Sequence, residues 1–306
     1  MAELKFYHGE LARIATNKKN QVRIKKLYFD VAKDIRAKAE SLKDNPNVSA
    51  QMERVRLQQL KFQTYEAFDD VGKTLEGYMK EGMRDVSAGI VVDVQKFLDT
   101  SGLKIKEAFS HIPQEIVAAV SSGKVYEQSW TLSKAIWADS KKSKKDIDEI
   151  IAKGIAENKS AYDIAKDLEK YVNPNARKPW DWGKVYPGTK RIIDYNAQRL
   201  ARTLITHAYQ QSLIETAKKN PYVTGVKWLA SNSSRVCEIC EERDGKIYAL
   251  KDVPLDHPNG MCTQVVVLDR SPKDIAKDLA EKAKYPLDNP DVEAWKAYIR
   301  EHSGLS

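Results

Sequence analysis

The residues best placed to do chemistry are Cys237-Glu238-Ile239-Cys240 and, after a loop, His257-Pro258-Asn259-Gly260-Met261-Cys262. Two thiolates separated by two residues can grip one Zn²⁺ from a tight knuckle, and His257 with Cys262 would complete a tetrahedron from a second loop. The 306-residue chain has only three cysteines, all in this stretch. An odd number with no export signal argues against a disulfide framework and for metal ligation. Four protein ligands leave no open position for water, so the expected ion is a structural zinc that ties loops together, with no Lewis-acid role. The plainer alternative is three partly buried free thiols and a surface histidine. Convergence of every cysteine on one ligand spacing favours zinc.

Other chemistries for the same residues fit less well. A redox CxxC normally begins a helix in a thioredoxin-like βαβ pattern, which the flanking sequence lacks. A zinc deaminase would need H-x-E upstream and a proline before the first cysteine, and neither is present. An HNH-type nuclease is closer, with Asp256-His257 after the knuckle, but it requires a metal-binding histidine in a following helix and the only later one is His302. That nuclease, or a zinc-dependent nucleic-acid-binding protein, is the alternative reading. His207, beside an apolar helical seam, reads as a hydrogen-bonded helix residue and not as a ligand or base.

Helices and a small sheet must position these residues. After Pro221 the pattern alternates: Val226, Trp228 and Ala230 share one strand face, Ser231 to Ser234 turn the chain, and Thr263 to Leu268 supply a second strand. Ser271-Pro272 starts an amphipathic helix with Ile275, Leu279 and Ala283, followed by a tail containing Pro286 and Pro290. Upstream, a long helix is expected from about Arg191 to Lys219, with Ile193, Ala197, Leu200, Leu204 and Ala208 along one seam. Lys5 to Ser101 is also helical in pattern, interrupted at Pro46 and then forming one or two further helices separated near Gly82. A short helix from Gln114 to Val120 ends in the turn Ser121-Ser122-Gly123. Ile147, Ile150, Ile151 and Ile155 form a stripe, and Ser160 opens a helix that Asn173-Pro174 closes. The fold class is therefore α+β: mostly long α-helices with a small C-terminal β subdomain stapled by a zinc knuckle. The expected divisions are an N-terminal helical region (1–111), a central helical domain (112–222), the zinc-knuckle subdomain (223–270), and a C-terminal helix and tail (271–306).

With 42% hydrophobic and 31% charged residues, the composition suits long amphipathic helices better than a compact enzyme. No run approaches the roughly 20 apolar residues of a membrane span, and the first ten residues lack a secretory signal, so a soluble cytosolic product is expected. The formal charge of +8 favours an acidic partner such as DNA, bound non-specifically. Lys141, Lys142, Lys144 and Lys145 read as a solvated linker. Pro179-Trp180-Asp181-Trp182-Gly183 with Tyr186-Pro187-Gly188 reads as a turn-rich insertion that is either a contact surface or folds back onto the helices.

Three features together resemble the F-like phage head-morphogenesis family. They are the block Leu132-Ser133-x-x-Ile136-Trp137 with Gly154-Ile155-Ala156 and Ile164-Ala165-x-x-Leu168; the helix bearing Ala201-Arg202-Thr203 and Ala208-Tyr209; and Trp228 ahead of Cys237-x-x-Cys240, Asp244-Gly245 and His257-Pro258-Asn259. They span roughly Ile112 to Leu268. The family commonly reads H-P-x-C-R-C at the second knuckle, whereas here Gly260 and Met261 precede Cys262, and Arg235 stands where an acidic residue is often found. The metal site is intact if the family's ligand is the later cysteine and weakened if it is the earlier. The resemblance implies a non-enzymatic minor head protein inside the virion near the portal vertex, passing through the host cytoplasm during assembly. It would bind the portal protein, with the major capsid or scaffolding protein as further partners, and serve head assembly, DNA packaging or DNA delivery. Its N-terminal helices would dock on the portal.

Overall fold

The computed structural model describes residues 2–42, 49–100, 109–126, 131–157, 159–176, 194–231 and 236–283. Strand β1 (Ala2–Leu4) leads into two long helices, α1 (Tyr7–Ser41) and α2 (Ala50–Thr100). Then come α3 (Ile112–Ser122), α4 (Leu132–Ala156), α5 (Ala161–Val172) and α6 (Asp194–Lys218). Strand β2 (Val223–Leu229), the short helix α7 (Glu238–Arg243), β3 (Ile247–Tyr248), β4 (Thr263–Leu268) and α8 (Pro272–Ala283) complete the order. The chain is thus mostly helical with one small antiparallel sheet. It divides into two compact units that are not contiguous in sequence.

The first unit comprises residues 1–17, 80–127 and 202–306 and contains the sheet, in the order β1-β4-β2-β3. The central pair follows the alternation of the sequence, with Val226 opposite Val266 and Trp228 opposite Gln264, and an irregularity between Val223 and Gly225. The sheet is not purely C-terminal, as the sequence pattern had implied. Ala2, Glu3 and Leu4 pair with Leu268, Val267 and Val266, covering the edge of β4 that would otherwise be open. Three residues are too few to show an alternation, so this strand carries no readable pattern. Gly9 of α1 packs where a Cβ would meet Ile90 of α2 at 2.3 Å, so the helices there sit at a separation only glycine allows.

The second unit comprises residues 18–79 and 128–201. Tyr28 of α1 meets Phe68 of α2 edge-on, with ring centroids 6.1 Å apart. Thr131 and Ser160 cap α4 and α5, each side chain accepting a backbone N–H from the residue three positions on. Gly154 faces Ile164, and a Cβ there would lie 2.5 Å from its Cγ1. The isoleucine stripe is buried at Ile147, Ile150 and Ile151, but Ile155 is exposed and Gly154 takes the inward position.

Two expectations are corrected here. Helix α2 runs through Gly82 without a break over 51 residues, because propensity at a single glycine is overridden by the buried row Leu75, Met79, Met83, Val86 and Ile90. The lysine cluster is not a linker. It lies mid-way along α4, where Lys144 pairs with Asp69 at 2.6 Å and Lys141 stands over the Trp137 ring. The Pro179–Gly188 insertion, the turn at residues 232–235 including Arg235, the tail with Pro286 and Pro290, and His302 all lie outside the described residues.

Candidate metal centre

Strand β2 positions the first knuckle. Gly245 N–H donates to Trp228 O and Trp228 N–H to Lys246 O, both at 2.9 Å, while Ala230 N–H donates to the Asp244 carboxylate. Gly245 has φ near 74°, a left-handed turn that suits glycine. Between these anchors Cys237 occupies the N-cap of α7, its carbonyl accepting from Cys240 N–H and Glu241 N–H. The CxxC therefore does begin a helix, but between two antiparallel strands and not in a parallel βαβ unit.

The second loop, residues 254–262, is held by a row of polar side chains on α6. Gln210 accepts Asp256 N–H at 2.9 Å, His207 Nε2 donates to Asp256 O at 2.9 Å, Thr203 accepts Asn259 N–H, and Thr206 donates to Gly260 O. Arg202 reaches the Asn259 side chain, whose residue takes φ 68°. From α1, the buried Arg13 guanidinium donates to Cys262 O at 3.2 Å and Met261 O at 3.4 Å and is paired with Glu10. Six backbone polar groups of the loop, those of the buried Asp256, Gly260 and Cys262 among them, are thereby satisfied.

The two loops place the expected ligands in two overlapping groups that share Cys240. The ligating atoms of Cys237, Cys240 and His257 lie within 4.8 Å of one another, and so do those of Cys240, Asp256 and Cys262. Cys240 belongs to both groups. Cys240 and Cys262 are buried against Trp228, Cys237 is half-buried and His257 is exposed. Burial, with the adjacent Cys262 and Cys237 thiols, pushes the Cys240 thiol far up, so without a cation it stays protonated. A divalent ion reverses that preference, because its charge stabilises the thiolates. Three sulfurs, an imidazole and a carboxylate converging on pre-set loops fit zinc's donor preferences. Burial also raises Asp256, against the nearby His257 and two backbone N–H groups.

Asp256 as a zinc ligand, and Arg13, Arg202, Thr203, Thr206 and Gln210 as supports of the loop, escaped the sequence reading. The α6 row had a usable signal: polar residues at 202, 203, 206, 207 and 210 repeat at helical spacing on the face away from the apolar seam. Arg13 had none. His207 is the hydrogen-bonded helix residue expected, with Nδ1 also bonded to Tyr126 Oη at 2.8 Å and its pKa lowered by burial. Both ring nitrogens are engaged, so it is not poised as a base.

Residues 145–265 match the family profile described as Phage Mu protein F like protein. That span includes Cys237, Cys240, Asp256, His257 and Cys262. Comparison with curated proteins and with solved structures returned no match.

Proposed function

We propose, from the match of residues 145–265 to the phage Mu F-like family, that this chain is a structural, non-enzymatic component of head morphogenesis. In this reading it sits inside the virion at or near the portal vertex, after passing through the host cytoplasm, and acts in head assembly, DNA packaging or DNA delivery. The portal protein is its main partner, with contacts to the major capsid or scaffolding protein and non-specific contacts to DNA. The observation that carries the reading is the family match, which takes in every candidate ligand. Two further features support it. Along α1 the exposed apolar side chains Tyr7, Leu11, Ile14 and Val22 recur on helical spacing, the kind of row that docks on another protein. No helix among the described residues is long and apolar enough to cross a membrane.

The metal of this reading is a structural zinc held by Cys237, Cys240, Cys262 and a fourth ligand, for which the sequence nominates His257. When bound, the ion supplies a cross-link between the α7 knuckle and the 254–262 loop. The chain's own residues do the rest: α6 fixes the loop backbone, Arg13 fixes its end, and Trp228 packs against Cys240 and Cys262.

The test combines a portal pull-down with elemental analysis of the same preparation. Co-purification with portal, presence in purified particles and about one zinc per chain are expected. Absence from particles would refute the head-protein reading, and a metal-free protein of full stability would refute the zinc. DNA attachment should weaken steeply with salt.

A further inference from the structure

We infer that the buried carboxylate of Asp256, and not the imidazole of His257, completes the metal's ligand set with Cys237, Cys240 and Cys262. The inference rests on the zinc reading above and specifies its fourth ligand.

Burial separates the two candidates. The Asp256 side chain is fully enclosed, whereas that of His257 is 42% exposed. Asp256 groups with the two buried sulfurs, Cys240 and Cys262, while His257 groups with Cys240 and the half-buried Cys237. The His257 Nδ1 lies 3.2 Å from Pro258 O of its own loop, which leaves Nε2 as its one available ligand atom.

The carboxylate is held in place by the loop it belongs to. Oδ1 accepts His257 N–H at 2.9 Å and Oδ2 accepts Cys262 N–H at 3.2 Å, so each oxygen is fixed by one amide and keeps a second lone pair. Among the described residues, the only ion-pair contact of the carboxylate is the His257 ring, 4.0 Å away. A fully enclosed carboxylate needs a stronger counter-charge than two amides and a distant, exposed imidazole. A divalent cation beside the sulfurs supplies it, and carboxylate oxygen is an ordinary zinc ligand.

Gly260 makes the arrangement sterically feasible. A Cβ at this position would stand 2.2 Å from both Cγ and Oδ2 of Asp256. The loop thus leaves out one side chain where the carboxylate is seated. Backbone contacts from Gln210 and His207 on either side of Asp256 hold its Cα, so the carboxylate is presented to the Cys240 and Cys262 sulfurs before any ion arrives.

The experiment compares full-length wild type, Asp256→Asn and His257→Ala. Zinc affinity is measured by competition with a chromophoric chelator, X-ray absorption is recorded on the zinc-loaded proteins, and circular dichroism checks the fold. Asp256→Asn should weaken zinc binding by about 100-fold or more, exceeding the usual loss for an outer-shell partner, while His257→Ala changes it little. Wild-type absorption should show three sulfurs and one light atom without the outer-shell scattering of imidazole, and His257→Ala should give the same spectrum. Imidazole scattering that disappears in His257→Ala would overturn the assignment, as would unchanged affinity in a folded Asp256→Asn. If Asp256→Asn fails to fold, the absorption comparison of wild type with His257→Ala decides alone. A wild type that binds no zinc removes the zinc reading, and this inference with it, which is a different outcome from zinc held through His257.

Discussion

Replacing Arg13 with Met tests whether α1 holds the metal loop in place. Methionine fills much of the same volume, so the change removes charge and hydrogen bonds and leaves little cavity. The carbonyl of Cys262 loses a buried bond from a charged donor, a class worth roughly 1.5–3 kcal/mol. The bond to Met261 O is longer, at 3.4 Å and only part-buried, and belongs at the bottom of that range. Glu10 is 30% exposed, so losing its partner adds little. The stack of the guanidinium over Tyr209, at 5.3 Å from the ring centroid, contributes about 0.5–1 kcal/mol more. The expected loss is about 3.5–5.5 kcal/mol, or a fall in Tm on the order of 7–22 °C if the first unit melts cooperatively. Hydrogen exchange followed by mass spectrometry localises the effect: peptides covering residues 256–264 should lose protection while those of α4 and α5 do not. The reasoning is refuted if the loop peptides keep wild-type protection, or if Tm falls by less than about 2 °C.

Cys240→Ser should abolish stoichiometric zinc, because Cys240 is common to both ligand groups, and should expose Trp228, seen as a red-shifted emission component alongside elemental analysis. The pKa of His207 is lowered by burial, so as pH falls below about 6.5 the unfolded chain takes up the proton first and folding stability declines. Urea unfolding at pH 7.5 and pH 5.5 should show that loss in wild type and a smaller one in His207→Gln, whose amide can still donate to Asp256 O. Gly154→Ala forces a methyl to within 2.5 Å of Ile164 and should cost about 1–3 kcal/mol, measured by thermal melting, without changing zinc content.

How much of this was legible depended on how local each signal was. Strand β4 was readable from its valine run, α5 from Ser160 and Asn173, and α8 from Ser271-Pro272, because each boundary is set by residues within one turn of it. The cysteines and His257 were readable because zinc imposes short spacings. Asp256 was adjacent to a nominated ligand and still missed, since its relevance lies in burial and in the space left by Gly260. The continuity of α2 past Gly82 and the pairing of Ala2–Leu4 with β4 were also hidden, because both are decided by residues far away in the chain. Arg13 is the extreme case: a basic residue on a charged helix, with its acceptors at Met261 and Cys262.

The pairing of Ala2 with Leu268 bears on when this protein can mature. On the ribosome, the first strand is made long before the one it must lie against, so the sheet cannot close until nearly all the described chain has emerged. Contacts of such sequence separation form slowly, and an uncovered β4 edge in the interim invites pairing with a neighbouring chain. A nascent copy would therefore be most vulnerable to aggregation just before these two strands meet.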